Sequence, residues 1–354
     1  MKILYIGMKY DYGNPQRGFS FEHYNFYHSL VEMNNRQHTV IYFPFDEIML
    51  EMGRDKMNQK LLQMVETEKP DLCFFFLFDD EIKKETIKEI TKKDKSITFN
   101  WFADDHFRFY NFSKYYAPLF HWVSTTDSRA VEKYYKIGYR NVIKTQWACN
   151  HFLYQPLNLP KIYDVTFVGQ SHGQRKEIIK KVERAGLKIK TFGRGWENGP
   201  VSQEEMIRIF SQSKINLNLT KGYGAVNFKS LASILIKKGI DNSLKLYSPI
   251  YWFGNFQSFL AKRREQIKGR NFEIPGCRGF LLTSDADNLS DYYQDGKEIV
   301  IYKDINDMIE KIKYYLENDR EREEIALAGY ERTLKDHTYE KRFQEIFNII
   351  GLKK

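Results

Sequence analysis

At 354 residues the chain exceeds the roughly 250–300 at which a single hydrophobic core stops growing, so two domains are expected. A formal charge of +9 suits an anionic partner, and an aromatic fraction of 16% is enough to fill cores and to line sugar- or ring-binding clefts. Three cysteines (Cys73, Cys149, Cys277) with no Cys-x-x-Cys pair indicate neither a disulfide framework nor a zinc site, and the longest apolar run, LCFFFLF, is far short of the ~20 residues a membrane span needs.

The chain opens with KILYIG, an apolar strand ending at Gly7 before polar residues and a helix. Strand-like runs HTVIYF, DLCFFFL, SITFNWF and HWVSTTD then alternate with helical patterns such as KMNQKLLQMVETE and DEIKKETIKEITKK. Continuous apolar strands alternating with helices predict a parallel sheet covered on both faces. Two prolines in HFLYQPLNLPKIY mark a linker, after which YDVTFVG, ending at Gly169, repeats the opening pattern. The alternation resumes in RKEIIKKVERAG, LKIKTFG, SQEEMIRIFSQS, KINLNLT, GFLLTS, EIVIY and INDMIEKIKYYLEND. The reading is α/β, two Rossmann-like doubly wound domains: residues 1–156, residues 157–335, and a C-terminal helix over 336–354. Residues 222–264, partly helical and rich in aromatics, interrupt the second domain as an insertion. Its apolar and basic surface would either pack against the first domain or another subunit, or rest on an anionic membrane.

Strand ends carry the polar residues of interest, because ligands of such sheets bind beyond the carboxyl ends of the strands. In the first domain Arg17, Gly18, Ser20 and Glu22 lie between strand and helix, with Ser20 a helix-cap candidate, and Asp104, Asp105 and His106 follow SITFNWF. These seven are candidates for positioning an acceptor or moving a proton, although an Asp-Asp pair also suits a helix cap. In the second domain Gly169 and Arg175 flank a glycine-containing turn. Arg194 and Trp196 occupy FGRGWENG, with Trp196 able to stack on a base, and Asn218 and Thr220 end another strand, as ligand contacts or as a buried polar pair.

The segment REQIKGRNFEIPGCRGFLLTS carries Glu265 and Glu273 with seven residues between them, and Lys268 and Arg270 on either side of Gly269. A carboxylate suits vicinal sugar hydroxyls and the two bases suit a diphosphate; a solvated charged loop is the plain alternative. The residues from Asn271 are expected to begin a short helix, with Asn271 as N-cap and Pro275 in its first turn.

The Glu-x7-Glu spacing followed by IPGCRGFLLTS resembles the donor signature of GT-B glycosyltransferases related to family four. QIKGRNFEIPGCRGFLLT with DHTYEKRFQEIF resembles the CgeB-like glycosyltransferases more closely still. The likeness is tight over Gln266–Thr283, looser over the rest of the second domain, and in the first rests mainly on GFSFEHYNF and NWFADDHFRF. Arg278 and Gly279 depart from the broader pattern of Gly and a variable residue. The resemblance implies two domains facing a central cleft. Glu265 would face the transferred sugar, Glu273 the ribose and Arg175 the diphosphate, with Phe272 inside the same donor motif. It also implies a UDP- or GDP-linked sugar as substrate with no further cofactor or metal, a glycan, lipid-linked or protein acceptor, and retention of configuration.

Rival readings are a nucleotide-sugar epimerase or phosphorylase of the same fold and a non-catalytic module of polysaccharide assembly. A nucleic-acid partner is not expected, because Lys and Arg alternate with Asp and Glu along helices instead of clustering. The expected setting is cytoplasmic, with peripheral contact at the inner face of the plasma membrane as the variant.

Overall fold

A computed structural model describes residues 1–93, 95–220, 231–232, 234–238, 244–262 and 264–352. The chain forms two compact units: residues 1–146, 231–261 and 339–354, and residues 147–230 and 262–338.

In the first unit six parallel strands are β1 (Lys2–Gly7), β2 (Thr39–Pro44), β3 (Leu72–Phe75), β4 (Ile97–Phe102), β5 (Trp122–Thr125) and β6 (Val142–Lys144), in the order β2-β1-β3-β4-β5-β6. Every residue of β3 is buried, as a strand covered on both faces requires. One face packs on the helix Phe45–Glu68, which bends at Gly53. The other carries an aromatic cluster in which Phe26 and Phe343 meet Phe74 and Trp101.

The second unit's parallel sheet begins with β7 (Tyr163–Val168), β8 (Lys190–Phe192) and β9 (Ser213–Asn218). A hairpin, β10 (Ile236–Lys238) with β11 (Leu244–Leu246), then falls in the first unit, and β12 (Leu281–Ser284) and β13 (Val300–Tyr302) complete the second. The order β13-β12-β9-β7-β8 puts the reversal of winding between β7 and β9. Ser202 caps the helix Gln203–Gln212 by accepting the Glu205 amide at 3.1 Å, and Asp304 caps Ile305–Glu317 in the same way.

The division between units differs from the sequence reading in three places. The boundary falls after Gln146 instead of 156, because Cys149 donates its amide to the His337 carbonyl at 2.8 Å and Tyr154 is buried in the second unit's core. Residues 231–261, expected as an insertion in the second domain, belong to the first unit; residues 222–230 lie outside the described residues. The helix Trp252–Ala261 is seated there by Gly254, whose missing side chain lets the Tyr110 carbonyl approach to 2.7 Å of where a Cβ would stand, and by an Asn111–Asn255 bond of 3.2 Å. The C-terminal helix Tyr339–Ile349 also packs in the first unit, through Tyr339 and Phe343 on Phe26.

Candidate functional site

In the second unit the polar side chains converge at the carboxyl ends of β7, β9 and β12, around the point where the winding reverses. Arg175 opens the helix Arg175–Arg184 and reaches across that point. Its guanidinium donates to the Leu219 carbonyl at 2.8 and 3.1 Å and to the Gln170 carbonyl at 2.9 Å, tying the loop after β7 to the loop after β9. Thr220 follows Leu219. Its hydroxyl donates to the Glu265 carboxylate at 2.7 Å and makes a short bond with the Ser284 hydroxyl at the end of β12. The Glu265 carboxylate is thereby fixed over the strand ends, while remaining partly exposed. Tyr302 closes the floor; its hydroxyl titrates above its usual range because it is buried and because Glu265 lies near, an effect that Arg175 opposes.

Glu273 lies elsewhere than its sequence role implied. Its carboxylate is fully buried, accepting a 2.8 Å bond from the Tyr154 hydroxyl and pairing with Arg270 one turn before it. Arg270 stays charged, since burial, which favours loss of its proton, is outweighed by Glu273 and Tyr154. The two residues expected to hold ribose and diphosphate instead neutralise each other. The local helix also differs: it runs Arg270–Gly276 with Pro275 in its last turn, and Asn271, inside the helix, accepts the Lys268 amide at 2.9 Å. Pro275 has no N–H to give the carbonyl four residues before it, which limits this helix to seven residues.

Three further residues settle into packing. Phe272 is buried against Tyr292, Tyr293 and His337, a core contact in place of a ligand contact. Asn218 bonds Asn271 at 3.0 Å and Thr283 at 3.2 Å, the buried polar alternative. Trp196 donates its indole N–H to the Gly169 carbonyl at 2.8 Å and packs edge-on against Phe167, so it braces the loop. That loop depends on Gly193, at φ 124° with the Gly169 carbonyl 2.3 Å from where a Cβ would stand. Arg194 on the same loop is exposed, and Lys268 is partly exposed.

In the first unit Ser20 caps the following helix, as its position predicts: its hydroxyl accepts the His23 amide at 3.0 Å and donates to the Met8 carbonyl at 2.6 Å. Glu22 lies within electrostatic reach of Asp11 and Asp104, and burial raises its carboxyl to about 7, against hydrogen bonds from Ser20 and the backbone that pull it down. Arg17 pairs with Asp11, its Nε donating at 2.7 Å, and stacks on Tyr12; Gly18 takes φ 82° to turn the loop. Asp46, unremarked in the sequence, anchors this loop by accepting the Lys9 and Tyr10 amides at 2.8 and 2.9 Å. Glu22 near pH 7 is able to take or give a proton, with Asp104 within electrostatic reach.

Asp105 does not share that position. It is fully buried and accepts a 2.7 Å bond from Tyr134; burial raises its carboxyl to about 6, so it acts as an interior support. His106 is likewise buried, its ring against Phe107. The expected trio is thus split, with Asp104 alone of the three acting electrostatically on Glu22. Among the described residues, no three His, Cys, Asp or Glu side chains are grouped to hold a metal ion.

Tyr154 and Asp11 also escaped the sequence reading. Tyr154 sits inside the proline-marked linker, 119 residues from the Glu273 it supports, and Asp11 shows no local pattern beyond its nearness to Arg17.

Residues 174–235 and 241–348 match a family model described as glycosyl transferase-like. Over 294 residues the chain is 23% identical to the spore protein CgeB of Bacillus subtilis, covering 82% of this chain and 86% of that protein. Its fold is similar to that of Anabaena HepE, solved in complex with UDP, at a TM-score of 0.58 and 10% identity over 99% of this chain and 100% of the other. It is equally similar to sucrose-phosphate synthase from Thermosynechococcus elongatus, at a TM-score of 0.58 and 10% identity over 99% of both chains.

Proposed function

We propose that this chain, a glycosyltransferase of the GT-B fold similar to CgeB, binds a nucleoside-diphosphate sugar at the strand ends of its second unit and transfers the sugar with retention of configuration. The observation that carries the reading is the convergence of Arg175, Thr220, Glu265 and Ser284 on the point where the second sheet reverses its winding. A guanidinium at that point opposes the charge that builds on a departing diphosphate, and a carboxylate held by a threonine accepts hydroxyls of the sugar being transferred. The UDP bound to HepE supports a uridine diphosphate donor, with a GDP-linked sugar as the alternative. The acceptor, a glycan, a lipid-linked glycan or a protein, is assigned to the first unit, where Glu22 and Asp104 stand ready for its hydroxyl. Lys268 is the second cation offered to the diphosphate, Arg270 being neutralised by Glu273.

A thermal-shift panel of UDP, GDP, CMP and dTDP sugars tests the donor, since a ligand that binds only the folded chain raises its melting temperature. One nucleotide class should stabilise the wild type, and Arg175→Met should lose that shift. Stabilisation by none of them, or an equal shift in the variant, would overturn the assignment.

A further inference from the structure

The helix Trp252–Ala261 is turned inside out. Its buried residues are Gly254, Asn255 and Ser258, while Phe253, Phe256 and Leu260, spaced by three and four along the opposite face, point to solvent with Trp252 beside them. Phe253 is 72% exposed. The hairpin of the same unit also exposes Leu244 and Leu246, at 73% and 77%, and its register sets Ile236 opposite Leu246 and Lys237 opposite Lys245. Soluble chains rarely leave so many large apolar side chains together in water, so something covers this face.

Charge decides between occupants. From Leu231 to Arg264 the sequence holds six basic residues, Lys237, Lys238, Lys245, Lys262, Arg263 and Arg264, against one acidic residue, Asp241. Protein interfaces deplete charge, and lysine most of all, around their apolar centres. Aromatic rings mixed with lysines are instead the chemistry of the lipid headgroup layer, where rings sit at the apolar boundary and bases meet anionic headgroups. No described helix is long and apolar enough to cross a membrane, so the contact would be superficial.

We propose that the lobe formed by the hairpin and the helix Trp252–Ala261 docks on an anionic lipid bilayer, inserting Trp252, Phe253, Phe256 and Leu260 to headgroup depth. The inference is independent of the donor assignment. A lobe of this kind would hold the first unit, to which it belongs, against a lipid surface.

The test is co-sedimentation of the full chain with phosphatidylcholine vesicles, with and without about 30% phosphatidylglycerol. The chain should bind the anionic vesicles, bind neutral ones at least tenfold more weakly, and release at about 0.5 M salt. Phe253→Ser with Phe256→Ser should weaken binding at least tenfold with an unchanged melting temperature, because both rings already face water. Phe256→Trp should retain binding, and Lys262→Glu should weaken it at least fivefold. Failure to bind anionic vesicles, or full binding by the double serine variant, would overturn the proposal. So would a dimer in sedimentation equilibrium that the double serine variant dissolves while neither protein binds vesicles, since a second copy would then cover the face.

Discussion

Glu273→Ala is expected to act on stability before it acts on binding. The wild-type carboxylate has no exposed surface; one oxygen accepts the Tyr154 hydroxyl at 2.8 Å and the other the Arg270 guanidinium. Alanine leaves both donors without their acceptor in a site water does not reach from the Tyr154 side. Removing one member of a buried ion pair costs about 3–5 kcal/mol, and the 28% exposure of the Arg270 side chain places the loss near the lower end. A loss of about 3 kcal/mol in a domain of roughly 150–250 residues lowers its melting temperature by about 6–12 °C. Scanning calorimetry of the second unit's transition measures this directly, and Tyr154→Phe should lower it by a smaller step, worth about 1–2 kcal/mol. Arg270→Met combined with Glu273→Met should recover most of the deficit, since no buried charge is then left alone. A melting temperature within about 2 °C of wild type, together with a tenfold or greater loss of UDP affinity, would refute the reasoning. Glu273 would then face the ligand, as its place in the Glu-x7-Glu spacing implied.

Thr220→Val removes the hydroxyl that fixes Glu265; turnover should fall roughly 10–100-fold with UDP affinity nearly unchanged, and a matching loss of affinity by calorimetry would contradict the positioning role. Three carboxyls of the first unit titrate high because they are buried: Glu22 and Glu81 at about 7 and Asp105 at about 6. The folded chain therefore holds protons that the unfolded chain has released, so its stability is greatest below about pH 4 for these groups and declines as pH rises to about 7. For Glu81 the decline is on the order of 3 kcal/mol. Urea denaturation at pH 5 and pH 8 should show this loss and Glu22→Gln should reduce it; stability rising over that interval would count against the burial assigned to these groups. Activity should persist in EDTA, the diphosphate charge being assigned to Arg175 and Lys268, and complete loss restored by Mn²⁺ would shift that role to a metal.

Local pattern alone determined the doubly wound character of this protein. Continuous apolar strands such as LCFF, helical periodicity between them, glycine closing β1 and following β7, and the cap at Ser20 each depend on neighbours in sequence, and each was legible there. The spacing of Glu265 and Glu273 likewise drew attention to the segment from which Glu265 reaches Thr220. Which of the two carboxylates stays partly exposed was decided by Tyr154 and Thr220, residues 119 and 45 positions away from their partners. The same holds for Asp105, whose buried carboxylate meets the distant Tyr134, and for the helix Trp252–Ala261, where Gly254 faces inward because the Tyr110 carbonyl leaves no room for a Cβ. Burial of a charge or a ring depends on what the rest of the chain packs against it, and that free energy comes from contacts between distant residues, which no short stretch of sequence contains.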